Sequence, residues 1–248
     1  MQLYGLNKLT LLDYPEHLAC TAFTGNCNFR CPFCHNGSLV LSPSTCQTIS
    51  EEEFFTFLLS RKSRLEGVCI TGGEPTLQAD LIPFIKKIKE YGFLVKLDTN
   101  GYQPNVLSTL LSENLLDMVA MDIKNSKEHY AKTCGIPEDS FDISHIEQSI
   151  SLLLCSNTTY EFRTTIVKEL HDEKNMLHLG TWLKELSIKN TGKQQVTFPY
   201  FLQSFQSSEY LVCGSKDMFH SYSKEDLENF VTLLRTSIPN THIRGSFH

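Results

Sequence analysis

No stretch of this 248-residue sequence is apolar for long enough to span a bilayer. Its densest runs, such as Phe54–Leu59, fall far short of the about 20 residues a spanning helix needs. A basic excess is missing too. Lys and Arg number 22 against 28 Asp and Glu, a net charge of −6, which argues against a phosphate backbone as the main partner. Met1–Cys20 holds Lys8, Asp13, Pro15 and Glu16 but no basic start followed by an apolar run and a small-residue cleavage point. No signal peptide is therefore expected, and a cytoplasmic location is the default. Internal repeats, low-complexity tracts and charge blocks are absent as well. With 41% hydrophobic and 20% charged residues, the composition is that of a globular protein able to bury a large core without disulfides.

Cysteine is plentiful by contrast. There are nine, an odd number, and three crowd into Cys27–Cys34. Without a signal peptide, metal binding or redox chemistry explains them better than disulfides. Cys20, Cys46, Cys69, Cys134, Cys155 and Cys213 are scattered. Cys69 and Cys155 lie in apolar runs, where a thiol usually serves as a small buried hydrophobe.

Strand-like runs alternate with helix-periodic segments, the pattern of βα units and a mostly parallel sheet. Strands are expected at Leu18–Thr24, Gly67–Thr71, Phe93–Asp98, Met118–Ile123, Tyr160–Val167 and Gln194–Phe201. His242–Gly245 is a candidate edge strand. A helix starts at Ser50, whose capping box is completed by Glu53. Further helices are expected at Gln78–Tyr91, Gln103–Ser112 with Pro104 in its first turn, His145–Cys155, Lys174–Ile188 and Ser223–Thr236. Six such units fit a partial, open (β/α)6 barrel of the α/β class better than a closed eight-fold one. The expected division is an N-terminal extension over 1–17, the barrel core over 18–205 and a short α/β extension over 206–248.

Cys27-Asn-Phe-Arg-Cys31-Pro-Phe-Cys34 is a C-x3-C-x2-C pattern. Its short links let three thiolates converge on one face of a loop. Iron–sulfur clusters usually take four cysteines. Three on a four-iron cube would leave one iron open. The competing reading is a Cys3His zinc site completed by His35, although Cys34 and His35 are adjacent and converge poorly on one small ion.

Other polar groups fall at strand ends, where α/β barrels place their active sites. Thr71-Gly72-Gly73-Glu74-Pro75 follows the second strand. Its glycines permit close backbone approach, and its carboxylate can pair with an ammonium group; a plain tight turn is the alternative. Asp98 in Leu97–Gly101, and Asp122 and Lys124 in Met121–Asn125, are site candidates or else ordinary polar strand ends and caps. Arg163 ends the fifth strand and could grip a carboxylate bidentately or simply be exposed. Tyr200, Gln203 and Phe205 are placed on the far wall. His171 and His178 read as surface residues.

The cysteine pattern, with an aromatic residue before its last member, resembles the radical S-adenosylmethionine (SAM) superfamily, and the Gly-Gly-Glu falls one βα unit later, where that family's "GGE" motif lies. The resemblance implies a [4Fe–4S] cluster on Cys27, Cys31 and Cys34 whose open iron chelates SAM. It implies that Phe33 packs near the adenine, with backbone around Phe33, Cys34 and His35 contacting it. It also implies that Glu74, with Gly72 and Gly73, binds the methionine amino group. The Asp-Thr-Asn-Gly and Asp-Ile-Lys segments resemble those of glycyl-radical-enzyme activases, implying SAM or cation contacts for Asp98, Asp122 and Lys124. Gly5–Pro15 and Cys27–Asn36 look like anaerobic ribonucleoside-triphosphate reductase activating proteins. That likeness implies a reduced flavodoxin or ferredoxin as donor, a 5′-deoxyadenosyl radical, and hydrogen abstraction from a backbone glycine of that reductase or a related glycyl radical enzyme. No nucleic acid or membrane partner is implied.

Only Cys46 and Cys69 lie between Cys34 and Gly72, so the eight-cysteine ferredoxin-like insert of some activases is absent. Tyr200–Gln203 stands where the activase of pyruvate formate-lyase has a histidine, so no catalytic histidine is carried over. Two other functions remain open: a radical SAM enzyme acting on a small molecule, such as a 7-carboxy-7-deazaguanine synthase, and a non-enzymatic zinc module.

Overall fold

The computed structural model describes residues 1–208 and 211–245. The core is one eight-stranded sheet in sequence order: β1 (Gly5–Thr10), β2 (Ala19–Thr24), β3 (Gly67–Gly72), β4 (Leu94–Thr99), β5 (Met118–Asp122), β6 (Thr159–Ile166), β7 (Tyr200–Ser204) and β8 (Thr241–Arg244). From β2 to β8 every pair is parallel. β1 runs antiparallel to β2. Among the described residues β1 and β8 do not pair with each other, so the curved sheet stays open along one flank, as expected.

Helices α2 (Glu51–Ser60), α3 (Leu81–Glu90), α4 (Pro104–Ser112), α6 (Ile143–Leu154), α7 (Glu173–Thr191) and α8 (Lys224–Leu234) cover the outer face. The Ser50–Glu53 capping box forms as read. Ser223 builds a second box with Asp226. A strand's residues alternate between faces. Val68, Ile70, Val95, Leu97, Val119 and Met121 are fully buried beneath the helices. The alternate set faces the concave side and is polar: Thr21, Thr71, Asp98, Asp122, Arg163, Thr165, Gln203 and Arg244.

Four features depart from the sequence reading. β1 lay in the presumed N-terminal extension, where its mixed, half-exposed residues carry no strand alternation; pairing with β2 makes it a strand. The expected strand at Gln194–Phe201 starts later, at Tyr200. Pro199 has no N–H to donate to a ladder, although its carbonyl accepts from Phe162 N at 3.1 Å. Two helices were missed, the short α1 (Gly37–Leu41) and α5 (Lys127–Cys134), the latter a charged segment burying only Tyr130, Ala131, Thr133 and Cys134. Cys155, expected to be buried, is exposed past the end of α6, while Cys69 is buried as read. No helix among the described residues is long and apolar enough to cross a membrane.

Candidate active site

A cavity of about 630 Å³ opens at the C-terminal end of the parallel strands. Cys27, Cys31, Phe33, Cys34, His35, Gly72, Gly73, Glu74, Asp98, Asp122, Lys124 and Arg163 all line it, so the motif residues read from the sequence come to one place. Gln203 and Phe205 line it as well. Tyr200 does not; it is fully buried on the helix side against Thr164.

The cysteine loop follows β2 directly and is held from three sides. Arg30 N donates to Cys134 O at 2.8 Å, where α5 ends on Gly135 in the left-handed region (φ 66°). Val212 N and Cys213 N donate to Cys34 O and Pro32 O, both at 3.0 Å. Glu74 N donates to Asn26 O at 2.7 Å. A Cβ on Gly73 would stand 1.9 Å from that Asn26 oxygen, so the β3 turn and the loop touch backbone to backbone. Gly73→Ala must push them apart, at a cost of about 1–3 kcal/mol. Its Tm is expected to fall by roughly 2–4 °C per kcal/mol, with less iron bound per chain after anaerobic reconstitution. An unchanged melting curve would show that the contact does not constrain the loop.

Burial pushes the Cys27 thiol up to about 12 and raises Cys34 as well. Cys31 moves the other way. The Cys134 thiol hydrogen-bonds to it and holds it below the ordinary thiol range, while burial drives Cys134 itself upward. The positive charge of Lys124 acts on all three loop thiols in the lowering direction. His35 is lowered by burial and by Lys124.

These thiols fit an iron–sulfur cluster better than a single ion. Zinc needs its sulfurs about 2.3 Å from one centre, and no group of three His, Cys, Asp or Glu among the described residues is gathered closely enough to hold one ion. A cluster instead assigns each thiolate to a separate iron. Next to Cys27, the Asn28 Nδ2 atom is buried with no protein acceptor, a donor that an acceptor-rich sulfide group would satisfy.

Below the loop runs a row of alternating charge. Lys96 pairs with Asp98. Arg163 Nη2 lies 3.2 Å from Asp98, Arg163 Nε pairs with Asp122, and Lys124 Nζ lies 2.8 Å from Asp122. Burial would raise both carboxyls, but Arg163 with Lys96 outweighs it at Asp98, and Arg163 with Lys124 outweighs it at Asp122. Both are held below the usual carboxylate range. Arg163 is thus neither exposed nor a lone carboxylate grip; it bridges two carboxylates. Phe33 is buried edge-on against Phe205 and Phe219, with ring centroids 6.5 and 6.3 Å away.

Sequence reasoning missed several contributors. Lys96 is 1% exposed inside the sheet; a lysine facing inward on a strand was the available signal. His171 was read as a surface residue but is buried, with Nε2 at 2.8 Å from Lys124 O, fixing the backbone that carries Lys124. Arg244 of β8 reaches across β7 to Glu161, with Nη2 2.8 Å from Oε2, and stacks on Phe201. Only the fold brings that pair together.

Comparison with known proteins gives the family. A Methanocaldococcus jannaschii protein that carries the provisional name of a glycyl-radical enzyme activating enzyme is 34% identical over 189 residues, covering 74% of this chain and 76% of the relative. A Thermococcus kodakarensis protein provisionally named a GTP 3′,8-cyclase is 29% identical over 152 residues, 61% of this chain but only 48% of the relative. A radical SAM methyltransferase from Sphaerobacter thermophilus shares the fold, with a TM-score of 0.64 at 15% identity over 93% of this chain and 67% of the methyltransferase. Residues 21–145, half of the chain, match the radical SAM superfamily. With its cysteine loop, its strand-end carboxylates and its open barrel converging on one cavity, this chain belongs to the radical SAM superfamily of enzymes that use a [4Fe–4S] cluster and S-adenosylmethionine.

Proposed function

We propose that this radical SAM enzyme activates a glycyl radical enzyme, with anaerobic ribonucleoside-triphosphate reductase as the first candidate and a reduced flavodoxin or ferredoxin as electron donor. The observation that carries the reading is the 34% identity to a relative named for glycyl-radical enzyme activation, which extends over three quarters of both chains. The open flank supports it. Residues beside β1 (Asp13, Thr21, Phe23) and at the end of β8 (Arg244, Gly245) line the same cavity. The unpaired flank, bordered by Asp13 and by Arg244 and Gly245, thus adjoins the cavity, and it is where a loop of a folded partner would enter.

The cluster and SAM supply reductive cleavage and a carbon radical when bound. The chain supplies their setting. Cys27, Cys31 and Cys34 hold the iron. Phe33, clamped by two further aromatic rings, offers an apolar surface near the adenine. Lys124 ends the alternating charge row, and its ammonium, with donors beyond the one it gives Asp122, is suited to meet the methionine carboxylate.

Anaerobic incubation of this protein, SAM and reductant with the candidate reductase should yield a glycyl-radical doublet by EPR, with one 5′-deoxyadenosine released per radical formed. Robust SAM cleavage with GTP or another small molecule and no doublet with any glycyl radical enzyme would favour the small-molecule reading instead. The partial likeness to a GTP 3′,8-cyclase makes GTP the first such substrate to try.

A further inference from the structure

Cys134 is a thiol that stands behind the cysteine loop without belonging to it. It is 0% exposed and does not line the cavity, whereas Cys31 does. Its thiol hydrogen-bonds to Cys31. The main chains beside the two residues are pressed together as well. Arg30 N, one position before Cys31, donates to Cys134 O at 2.8 Å, and a Cβ on Gly135 would stand 2.3 Å from Arg30 O. A disulfide needs Cα atoms about 5.5 Å apart. Backbones that touch one residue away, with the sulfurs already in contact, leave little movement for closing one.

In sequence, Cys34 is the nearer partner for Cys31, since only Pro32 and Phe33 separate them, while Cys134 lies about 100 residues on. The fold reverses that order. It sets Cys134 against Cys31 and braces Cys34 from the other side. Val212 N donates to Cys34 O at 3.0 Å, and the adjoining Phe33 ring is packed edge-on against Phe205 and Phe219.

We propose that Cys134 is the resolving thiol of Cys31: when no metal is bound and a peroxide enters the cavity, the two close a disulfide that keeps the middle cluster ligand recoverable. The Cys31 sulfur attacks hydrogen peroxide and becomes a sulfenic acid, releasing one water. The Cys134 sulfur then attacks the Cys31 sulfur, the S–S bond forms, the S–O bond breaks and a second water leaves. Two thiols and one hydrogen peroxide thus give one disulfide and two waters. Without a resolving thiol, a further peroxide carries the sulfenic acid to a sulfinic acid, which dithiol reductants do not reverse. Thiol–disulfide exchange with a dithiol reductant reopens the bond and returns both thiols. The inference rests on Cys31 as a cluster ligand and is independent of the activase reading.

The test uses the full-length protein, stripped of iron anaerobically, treated with a slight excess of hydrogen peroxide, alkylated, and digested without reduction. Peptide mapping by mass spectrometry is expected to find Cys31 joined to Cys134 in most crosslinked chains. The same treatment in urea is the control. An unfolded chain closes short loops more readily than long ones, so Cys31–Cys34 should dominate there. In Cys134→Ser, Cys31 is expected mainly as sulfinic acid. Iron rebound after dithiol reduction should then fall by about threefold or more against native protein treated alike. A bond from Cys31 to Cys34 or Cys27 as the main product in the folded protein would overturn the proposal. So would iron recovery in Cys134→Ser equal to that of native protein. Should Cys134→Ser fail to fold, the native peptide map decides on its own.

Discussion

Cys31→Ala is expected to abolish reductive cleavage of SAM, lowering 5′-deoxyadenosine production to the level of the iron-free protein. The three loop cysteines leave no redundancy. Cys27 and Cys34 border the same cavity but sit either side of Cys31, and losing the middle ligand leaves two thiolates for a cluster that already lacks a fourth. Cys31 is also the one loop thiol held below its ordinary range, through the Cys134 contact, so it is the best prepared to meet iron as thiolate. Cys155→Ala makes the matched control, because Cys155 is exposed past the end of α6 and does not line the cavity. Iron content and product, measured on both variants after identical anaerobic reconstitution, check the result. Full turnover in Cys31→Ala would contradict the ligand assignment.

The second large effect is on stability. Arg163→Leu removes the cation shared by Asp98 and Asp122 while both carboxylates remain mostly buried. Breaking a buried pair from one side costs about 3–5 kcal/mol, a fall in Tm of roughly 6–20 °C for a chain of this size. The pH dependence carries its own sign. In the native protein the folded-state values of Asp98 and Asp122 are depressed. Their contribution is therefore present above the unfolded carboxyl range and is lost only as pH falls through those depressed values. Without Arg163, each carboxylate keeps one lysine, Lys96 or Lys124, against the same burial, and both folded values move up. Protonation then relieves the variant before it touches the native protein, so the deficit should narrow as pH falls from about 7 to about 4. Thermal melts of both proteins across that range test this. A gap that widens on acidification would mean that the carboxylates are not what Arg163 compensates.

The barrel could be read from sequence because its elements follow local rules. Two serine caps, apolar stripes at helical spacing and short β-branched runs fixed five parallel strands and the main helices to within a few residues. The motifs at strand ends could be placed for the same reason: once the strands are known, Gly72–Glu74, Asp98, Asp122 and Arg163 must cluster at one rim. The unread parts depend on partners distant in sequence. β1 has no strand pattern of its own and exists through pairing with β2. His171 reads as a loop histidine until Lys124 O arrives beside it. Glu161 and Arg244 lie 83 positions apart, and only the fold sets them a single strand apart, on either side of β7. The burial of Glu74 was likewise hidden, because the Thr99 hydroxyl and Asn100 N that donate to it come from the end of the next strand.

The bonds from Val212 and Cys213 to the cysteine loop also order events in time. A nascent chain exposes Cys27, Cys31 and Cys34 early, but the backbone that braces Cys34 and Pro32 is encoded about 180 residues later. At ordinary elongation rates the ribosome needs roughly 10–35 s to reach it. Iron that arrived during that interval would meet a loop without this brace, so the full setting of the cysteines depends on a segment made long after the ligands themselves.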